Sequence, residues 1–300
     1  MKKVLVIAGP TASGKTAFSI LAAKMLGWEI ISGDSIQVYR GEDIGSGKVT
    51  EEEKEGIPHH LIDIMDPDQP YSAADFQKMA RKIIDASEEG IIICGGTGLY
   101  LKSCLYDYEF AAESGSSVDE DFEAMDNAQL YALLQKTDPV QAQKIHPNNR
   151  RRLQRSLTIA KRTGMAQSEI EAQQTHEPVY DIFIAGCTMD REKLYDRINR
   201  RVEMMFAAGL QKEIEELLEK GYTFNDPGLQ GIGYKEWKAF FAGTANAQEV
   251  MADIQKHSRQ FAKRQYTWLN HQMPVQWFIS GDPSEEEQML EKIRRWSTNA

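Results

Sequence analysis

The sequence predicts an α/β protein built on an open parallel β-sheet. Short apolar runs at residues 4–8, 91–94 and 181–185 read as strands buried on both faces. Amphipathic helical patterns separate these runs, the alternation expected of a parallel sheet with helical crossovers. The stretch Gly9-Pro10-Thr11-Ala12-Ser13-Gly14-Lys15-Thr16 follows the first run and opens a helix, with the G-x-x-x-x-G-K-[ST] spacing of a phosphate-binding loop.

The glycines of that loop let backbone N–H groups turn inward on a phosphate, and the helix N-terminus adds partial positive charge. Lys15 is placed to neutralise the outer phosphates, and the Thr16 hydroxyl to ligate Mg²⁺. Ala17, Phe18, Ile20, Leu21 and Met25 continue at helical spacing. The motif secures a phosphate site but does not say what the phosphate belongs to.

Composition narrows the classes. Three hundred residues allow one large domain, or a core with an insertion, and 41% hydrophobic content supports a real core. A net charge of −10 argues against a general nucleic-acid coat, though not against a local basic patch. Cys94, Cys104 and Cys187 form no CxxC pair, so neither a disulfide framework nor a zinc site is expected. The apolar run after Met1-Lys2-Lys3 is too short for a signal peptide and leads straight into the loop. No run approaches a membrane span, so a cytoplasmic protein is expected.

Residues 29–32 read as the second strand. Asp34 lies at its C-terminal end, the edge of a parallel sheet where ligands bind. It either caps a helix, or points a carboxylate toward the phosphate loop. Residues 43–48 form a loop and 51–55 a charged helical turn. His59 and His60 are adjacent with no third ligand nearby, and read as structural. Residues 72–89 read as an amphipathic helix, burying Phe76, Met79, Ala80, Ile83 and Ile84, with Ser72 and Asp75 as its capping box.

The strand at 91–94 departs from an ordinary ATPase. A Walker B strand ends in an acid that holds Mg²⁺. This one ends in Gly95-Gly96-Thr97-Gly98, small residues that leave room for a ligand and offer one hydroxyl. Attention therefore returns to Asp34 as the nearby carboxylate.

A turn-rich break at 107–118 precedes a helix read over 119–136. Residues 139–168 contain no Asp or Glu but carry Lys144, Arg150, Arg151, Arg152, Arg155, Lys161 and Arg162. Arg151, Arg155 and Arg162 share a helical face opposite Leu153, Leu157 and Ala160. The stretch is either a polyanion site or a solvated basic face. After the strand at 181–185, a helix buries Leu194, Ile198, Val202, Met205 and Phe206, with Arg201 at the border of that face and able to reach inward. A charged helix covers 211–220, and a glycine-rich loop of no assigned role covers 228–234. A basic helix follows at 250–269, its Phe261, Tyr266 and Trp268 expected in the core. A last strand at 275–278 and a closing helix at 284–296 complete the chain.

Taken together, these residues resemble the tRNA dimethylallyltransferase family over nearly the whole chain. The resemblance rests on the phosphate loop, Asp34-Ser35-Ile36-Gln37-Val38-Tyr39, Asp43-Ile44-Gly45 and Tyr71-Ser72-Ala73-Ala74-Asp75-Phe76. It continues through Gly95-Gly96-Thr97-Gly98-Leu99-Tyr100, His146-Pro147-Asn148, Gly231-Ile232-Gly233-Tyr234 and Ala262-Lys263-Arg264-Gln265-Tyr266-Thr267-Trp268-Leu269. No cysteine follows Cys187, so the chain resembles the bacterial form, without the C-terminal zinc finger of eukaryotic members.

The resemblance implies a nucleoside-kinase-like P-loop core, 1–111 with 181–300, and an all-helical tRNA-binding insertion at 112–180. It implies transfer of a dimethylallyl group from dimethylallyl diphosphate to the N6 amine of the adenosine just 3′ of the anticodon. Asp34, Thr97 and Lys15 become the expected catalytic residues, and Gly9 to Thr16 the diphosphate site with Mg²⁺ on Thr16. Asp34, Ser35, Ile36, Gln37 and Thr97, with Arg151, Arg152, Leu153, Gln154 and Arg155, become the expected tRNA contacts. A monomer is expected. Two rival readings stand beside this one. A small-molecule or nucleoside kinase using ATP explains the core but not the basic stretch. A non-enzymatic RNA-binding NTPase switch gives Asp34 and Thr97 no task.

Overall fold

A computed structural model describes residues 1–110 and 120–299. The chain divides into two compact units, Met1–Leu105 with Val179–Ala300, and Tyr106–Pro178.

The first unit opens on strand β1 (Lys3–Ala8), where Val4, Leu5, Val6 and Ile7 are fully buried. Helix α1 (Lys15–Leu26) starts directly from the phosphate loop and stops at Gly27, whose left-handed backbone ends the helix. Strand β2 (Glu29–Ser32) follows, then the single-turn helix α2 (Glu51–Lys54) and the two-residue strand β3 (His59–His60). The two histidines are structural as read: His59 Nδ1 meets the Ile57 carbonyl, and His60 pairs with Glu29. Helix α3 (Ala73–Ala86) has the predicted capping box, with Ser72 accepting from Asp75 N–H, but it ends three residues earlier than read. Strand β4 (Gly90–Gly95) and helix α4 (Gly98–Leu105) close this half.

The second unit is helical. It holds α5 (Glu120–Glu123), α6 (Asn127–Thr137), α7 (Pro139–Lys144), α8 (Arg150–Thr163) and α9 (Gln167–Gln173). The single helix read over 119–136 is in fact two. Asp126 accepts from Gln129 N–H and caps α6, so the chain must leave helical geometry there. Phe122, Leu130, Leu134, Leu153 and Leu157 form the core of this unit. The turn-rich break lies outside the described residues from position 111 onward.

The chain re-enters the first unit through β5 (Asp181–Thr188), α10 (Arg191–Ala207), α11 (Leu210–Glu219), α12 (Trp237–Phe241), the long α13 (Ala247–Gln272), β6 (Gln276–Ile279) and α14 (Pro283–Thr298). All pairings in the six-stranded sheet are parallel, in the order β3-β2-β4-β1-β5-β6. Central β1 has neighbours on both edges and helices on both faces, which is why its sequence is a continuous apolar run. From β1 the chain crosses past β4 to β2, and from the adjacent β4 it crosses past β1 to β5, so the two connections run in opposite directions. That switch point puts the loop after β1 at the ligand-binding edge of the sheet. One apolar layer joins Leu5 and Ile7 to Phe18, Phe183 and Phe278, the Phe18 and Phe278 rings lying 4.4 Å apart. A second joins Val202, Leu210, Ile214, Tyr234, Trp237 and Val250. Among the described residues, no helix is long and apolar enough to cross a membrane.

Candidate active site

The phosphate loop takes the backbone form its glycines predict. At Gly9, φ is 146°, and a Cβ there would come within 2.5 Å of the Cys187 carbonyl. Only glycine lets the end of β1 approach β5 this closely. Lys15 curls over the loop, its Nζ donating to the Pro10 carbonyl at 2.7 Å. Ser13 is fully buried, and its hydroxyl has no partner among the described residues. Thr16 is exposed at the start of α1, with no hydrogen bond to its hydroxyl among the described residues.

Gln265 fastens this loop from α13. Its Oε1 accepts from Thr11 N–H at 2.9 Å, and its Nε2 donates to the Gly96 carbonyl at 3.0 Å. One buried amide thus ties the phosphate loop to the turn after β4. Sequence reasoning did not single it out, although a signal existed: Gln265 falls on the stripe of buried Ala262 and Leu269, a polar residue in an apolar row. Of the α13 aromatics expected in the core, Tyr266 is instead 39% exposed and packs on Trp277.

Asp34 begins a chain of turns with no helix after it. Its Oδ1 accepts from Ile36 N–H at 2.8 Å and more weakly from Gln37 N–H at 3.4 Å. Among the described residues, nothing bonds Oδ2. With no helix after it, Asp34 is not a helix N-cap; one oxygen holds a turn and the other is left unbonded among the described residues. Ser35 is half-buried, and the half-buried Ile36 packs near Gly231. Gln37 accepts from Ser32 Oγ and donates from Nε2 to the Gly47 carbonyl at 3.2 Å. The Thr97 carbonyl accepts the first N–H groups of α4, and its half-buried hydroxyl makes no bond among the described residues.

The group that sequence reading left at a helix border turns out to be central. Arg201 on α10 reaches inward, its Nη2 donating to the carbonyls of Ser46 and Gly47, each at 3.3 Å. Its guanidinium fills the place a Cβ of Gly47 would need. Among the described residues, no carboxylate pairs with it. Burial pulls its pKa down, and Asp34 is the main charge opposing that shift. Burial likewise lowers the Lys15 pKa, with Cys94 and Cys187 raising it, Arg201 lowering it further and Asp34 raising it. Two cations and one carboxylate therefore share a single electrostatic neighbourhood, and among the described residues neither cation has an ion-pair partner. Such a site holds spare positive charge for an anion.

In the helical unit, Arg151, Arg152 and Arg155 on α8 are exposed and form no ion pair among the described residues, while Leu153 is fully buried and Gln154 is 8% exposed. Arg150 is structural: it donates to the carbonyls of Phe122, Glu123 and Met125. Lys161 pairs with Asp121 and Lys144 with Glu171.

Thr16 offers an unbonded hydroxyl, the hard oxygen Mg²⁺ prefers. No group of three or more His, Cys, Asp or Glu gathers as a cage among the described residues. That suits an ion held mainly by its phosphate ligand and water.

The family model described as IPP transferase matches residues 37–272. The phosphate loop and Asp34 lie just before that match. A relative from Anoxybacillus flavithermus, tRNA dimethylallyltransferase, is 46% identical over 97% of this chain and 95% of its own. The crystal structure of tRNA delta(2)-isopentenylpyrophosphate transferase from Staphylococcus epidermidis is 41% identical, with a TM-score of 0.72 over 98% of each chain. A eukaryotic dimethylallyltransferase, described crystallographically acting on tRNA, is 29% identical with a TM-score of 0.82, over 100% of this chain and 77% of that one. With that family model spanning residues 37–272 and relatives 41–46% identical over nearly the whole chain, the chain belongs to the IPP transferase family.

Proposed function

We propose that this protein is a tRNA dimethylallyltransferase, moving the dimethylallyl group of dimethylallyl diphosphate to the N6 amine of the adenosine 3′-adjacent to the anticodon. The observation that carries the reading is Asp34 Oδ2, an unbonded carboxylate oxygen sharing the electrostatic neighbourhood of Lys15 and Arg201. The cations suit a diphosphate leaving group and the carboxylate suits an amine nucleophile. A kinase would need its acid after β4, where this chain has Gly95.

In the proposed reaction the loop amides, Lys15 and Arg201 bind the diphosphate and stabilise its growing charge as the allylic C–O bond breaks. Thr16 would hold a Mg²⁺ ion there, which when bound supplies further charge stabilisation to the leaving group. The adenine N6 attacks the allylic carbon. Asp34 accepts the amine proton as the C–N bond forms, leaving the modified nucleoside, free diphosphate and a protonated carboxyl. The Thr97 hydroxyl hydrogen-bonds the acceptor nucleoside beside it. Ser35, Ile36 and Gln37 line the adenosine site. The adenine must leave its stack, which costs least in an anticodon loop.

Arg151, Arg152 and Arg155 hold the tRNA backbone, with buried Leu153 and Gln154 fixing the helix that presents them. The stretch 112–180 is the tRNA-binding insertion in this reading. We take the enzyme as a monomer, since one chain supplies every group in the scheme, and as cytoplasmic. The test is incubation with unmodified tRNA and either labelled dimethylallyl diphosphate or labelled ATP. Prenyl label should enter the RNA and phosphate label should not; the reverse result overturns the proposal.

A further inference from the structure

Two stretches, Asp43 to Gly47 and Gly231 to Tyr234, have no role in the scheme above, yet they meet around one carboxylate. Glu213 on α11 accepts from three consecutive backbone N–H groups. Its Oε2 takes Asp43 at 3.0 Å and Ile44 at 2.6 Å, and its Oε1 takes Gly45 at 3.1 Å. Oε1 also accepts from the Tyr234 hydroxyl at 2.8 Å, and that hydroxyl in turn accepts from Ser46 N–H at 3.0 Å. Four successive amides are thus satisfied by two side chains from elsewhere in the chain. Tyr234 is fully buried, and its ring stands 2.6 Å from where a Gly45 Cβ would be. Residue 45 must be glycine for the ring to reach the loop.

The next carbonyls are the ones that matter to the site. Ser46 and Gly47 offer theirs to Arg201, and the Gly47 carbonyl also accepts from Gln37. Arg201 has no carboxylate partner among the described residues, and these carbonyls are the hydrogen-bond acceptors that hold its guanidinium there. Their position depends on the loop, and the loop depends on Glu213. A carboxylate holding three backbone N–H groups and a hydroxyl makes charge-assisted bonds, stronger than neutral ones.

The geometry points to Glu213, assisted by Tyr234, as a positioning residue that sets the guanidinium of Arg201 against the diphosphate through the loop from Asp43 to Gly47. Neither residue touches substrate. This inference rests on the prenyl-transfer reading for its kinetic half and on the phosphate site alone for its binding half.

The test compares wild type, Glu213→Gln, Tyr234→Phe, Arg201→Ala and the Glu213→Gln/Arg201→Ala double variant. Inorganic diphosphate binding is read by calorimetry, tRNA binding by filter retention, and kcat and KM under prenyl-transfer conditions. Glutamine puts an NH₂ donor against amide donors, so the loop should shift. Remote misplacement of a binding group costs roughly 10- to 100-fold in rate. Glu213→Gln should lower kcat by about that factor and weaken diphosphate binding, while tRNA binding holds. In the Arg201→Ala background the same substitution should cost little more, because its route of action is already gone.

Additive losses in the double variant would overturn the inference, as would normal diphosphate binding by Glu213→Gln. If Glu213→Gln does not fold, Tyr234→Phe, which removes one hydroxyl, and its pairing with Arg201→Ala answer the same question with a smaller loss. A wild type that binds diphosphate but transfers no prenyl group sinks the proposed function. The coupling of Glu213 to Arg201 is then still read in the binding data.

Discussion

Glu42 offers a prediction whose size follows from its surroundings. The residue is fully buried, and among the described residues neither carboxylate oxygen has a hydrogen-bond partner. Its Oε1 lies against the Cα of Gly228. Burial is the main cause that pushes its pKa from the ordinary 4.5 up to about 8. Lys48 pulls it down, while Glu213 and Asp43 push it up. Lys48 cannot rescue the charge, since it is already bonded to Asp43, Asp63 and the Tyr39 carbonyl. The folded protein therefore keeps Glu42 protonated at a pH where the unfolded chain has released the proton. Stability from this group is full below pH 4.5 and is lost as pH rises through about 8. Within that window the slope is roughly −1.4 kcal/mol per pH unit. Between about pH 5.5 and 7.5 the loss is on the order of 3 kcal/mol. Glu42→Gln keeps the shape and removes the titration. Urea melts of both proteins across that range should diverge, wild type losing ground to the variant as pH rises. Parallel profiles would refute the reasoning and mean that Glu42 is ionised in the folded state.

Three further outcomes follow from the site. Asp34→Asn keeps a carbonyl oxygen for the turn but cannot take a proton. Single-turnover transfer should slow by about 10²–10⁴-fold while both substrates still bind, and near-normal turnover would leave Asp34 with the turn alone. Replacing Arg151 and Arg155 with Ala should weaken tRNA binding and flatten its log–log salt slope by about 0.7–0.9 per lost phosphate contact; an unchanged slope would make them a solvated face. Gly47→Ala puts a methyl where the Arg201 guanidinium lies, on a backbone of φ 58°, and should weaken inorganic diphosphate binding with little effect on tRNA binding in the same retention assay.

What the sequence made legible was local. The phosphate loop, the four longer buried strands and the Ser72 capping box depend on neighbours in the chain, and patterning exposes them. The split at Asp126 was missed because acidic and apolar residues run on through it, and only the cap geometry ends the pattern. The site was legible where one residue acts alone, as at Lys15. It was hidden where function comes from contacts between distant stretches. Gln265 meets Thr11 across 254 positions and Arg201 meets Gly47 across 154. Asp34 illustrates the middle case. Its place at the strand end was readable, but the division of labour between its two oxygens required coordinates.

The central claim is that the chain's phosphate site serves an allylic diphosphate and not a nucleoside triphosphate. Its most direct test is a nucleoside digest of unmodified tRNA after incubation with the enzyme, dimethylallyl diphosphate and Mg²⁺. The account predicts N6-dimethylallyl-adenosine at the position 3′-adjacent to the anticodon, with one diphosphate released for each nucleoside modified. Unmodified adenosine at that position, with dimethylallyl diphosphate intact and ATP consumed in a parallel reaction, would contradict it.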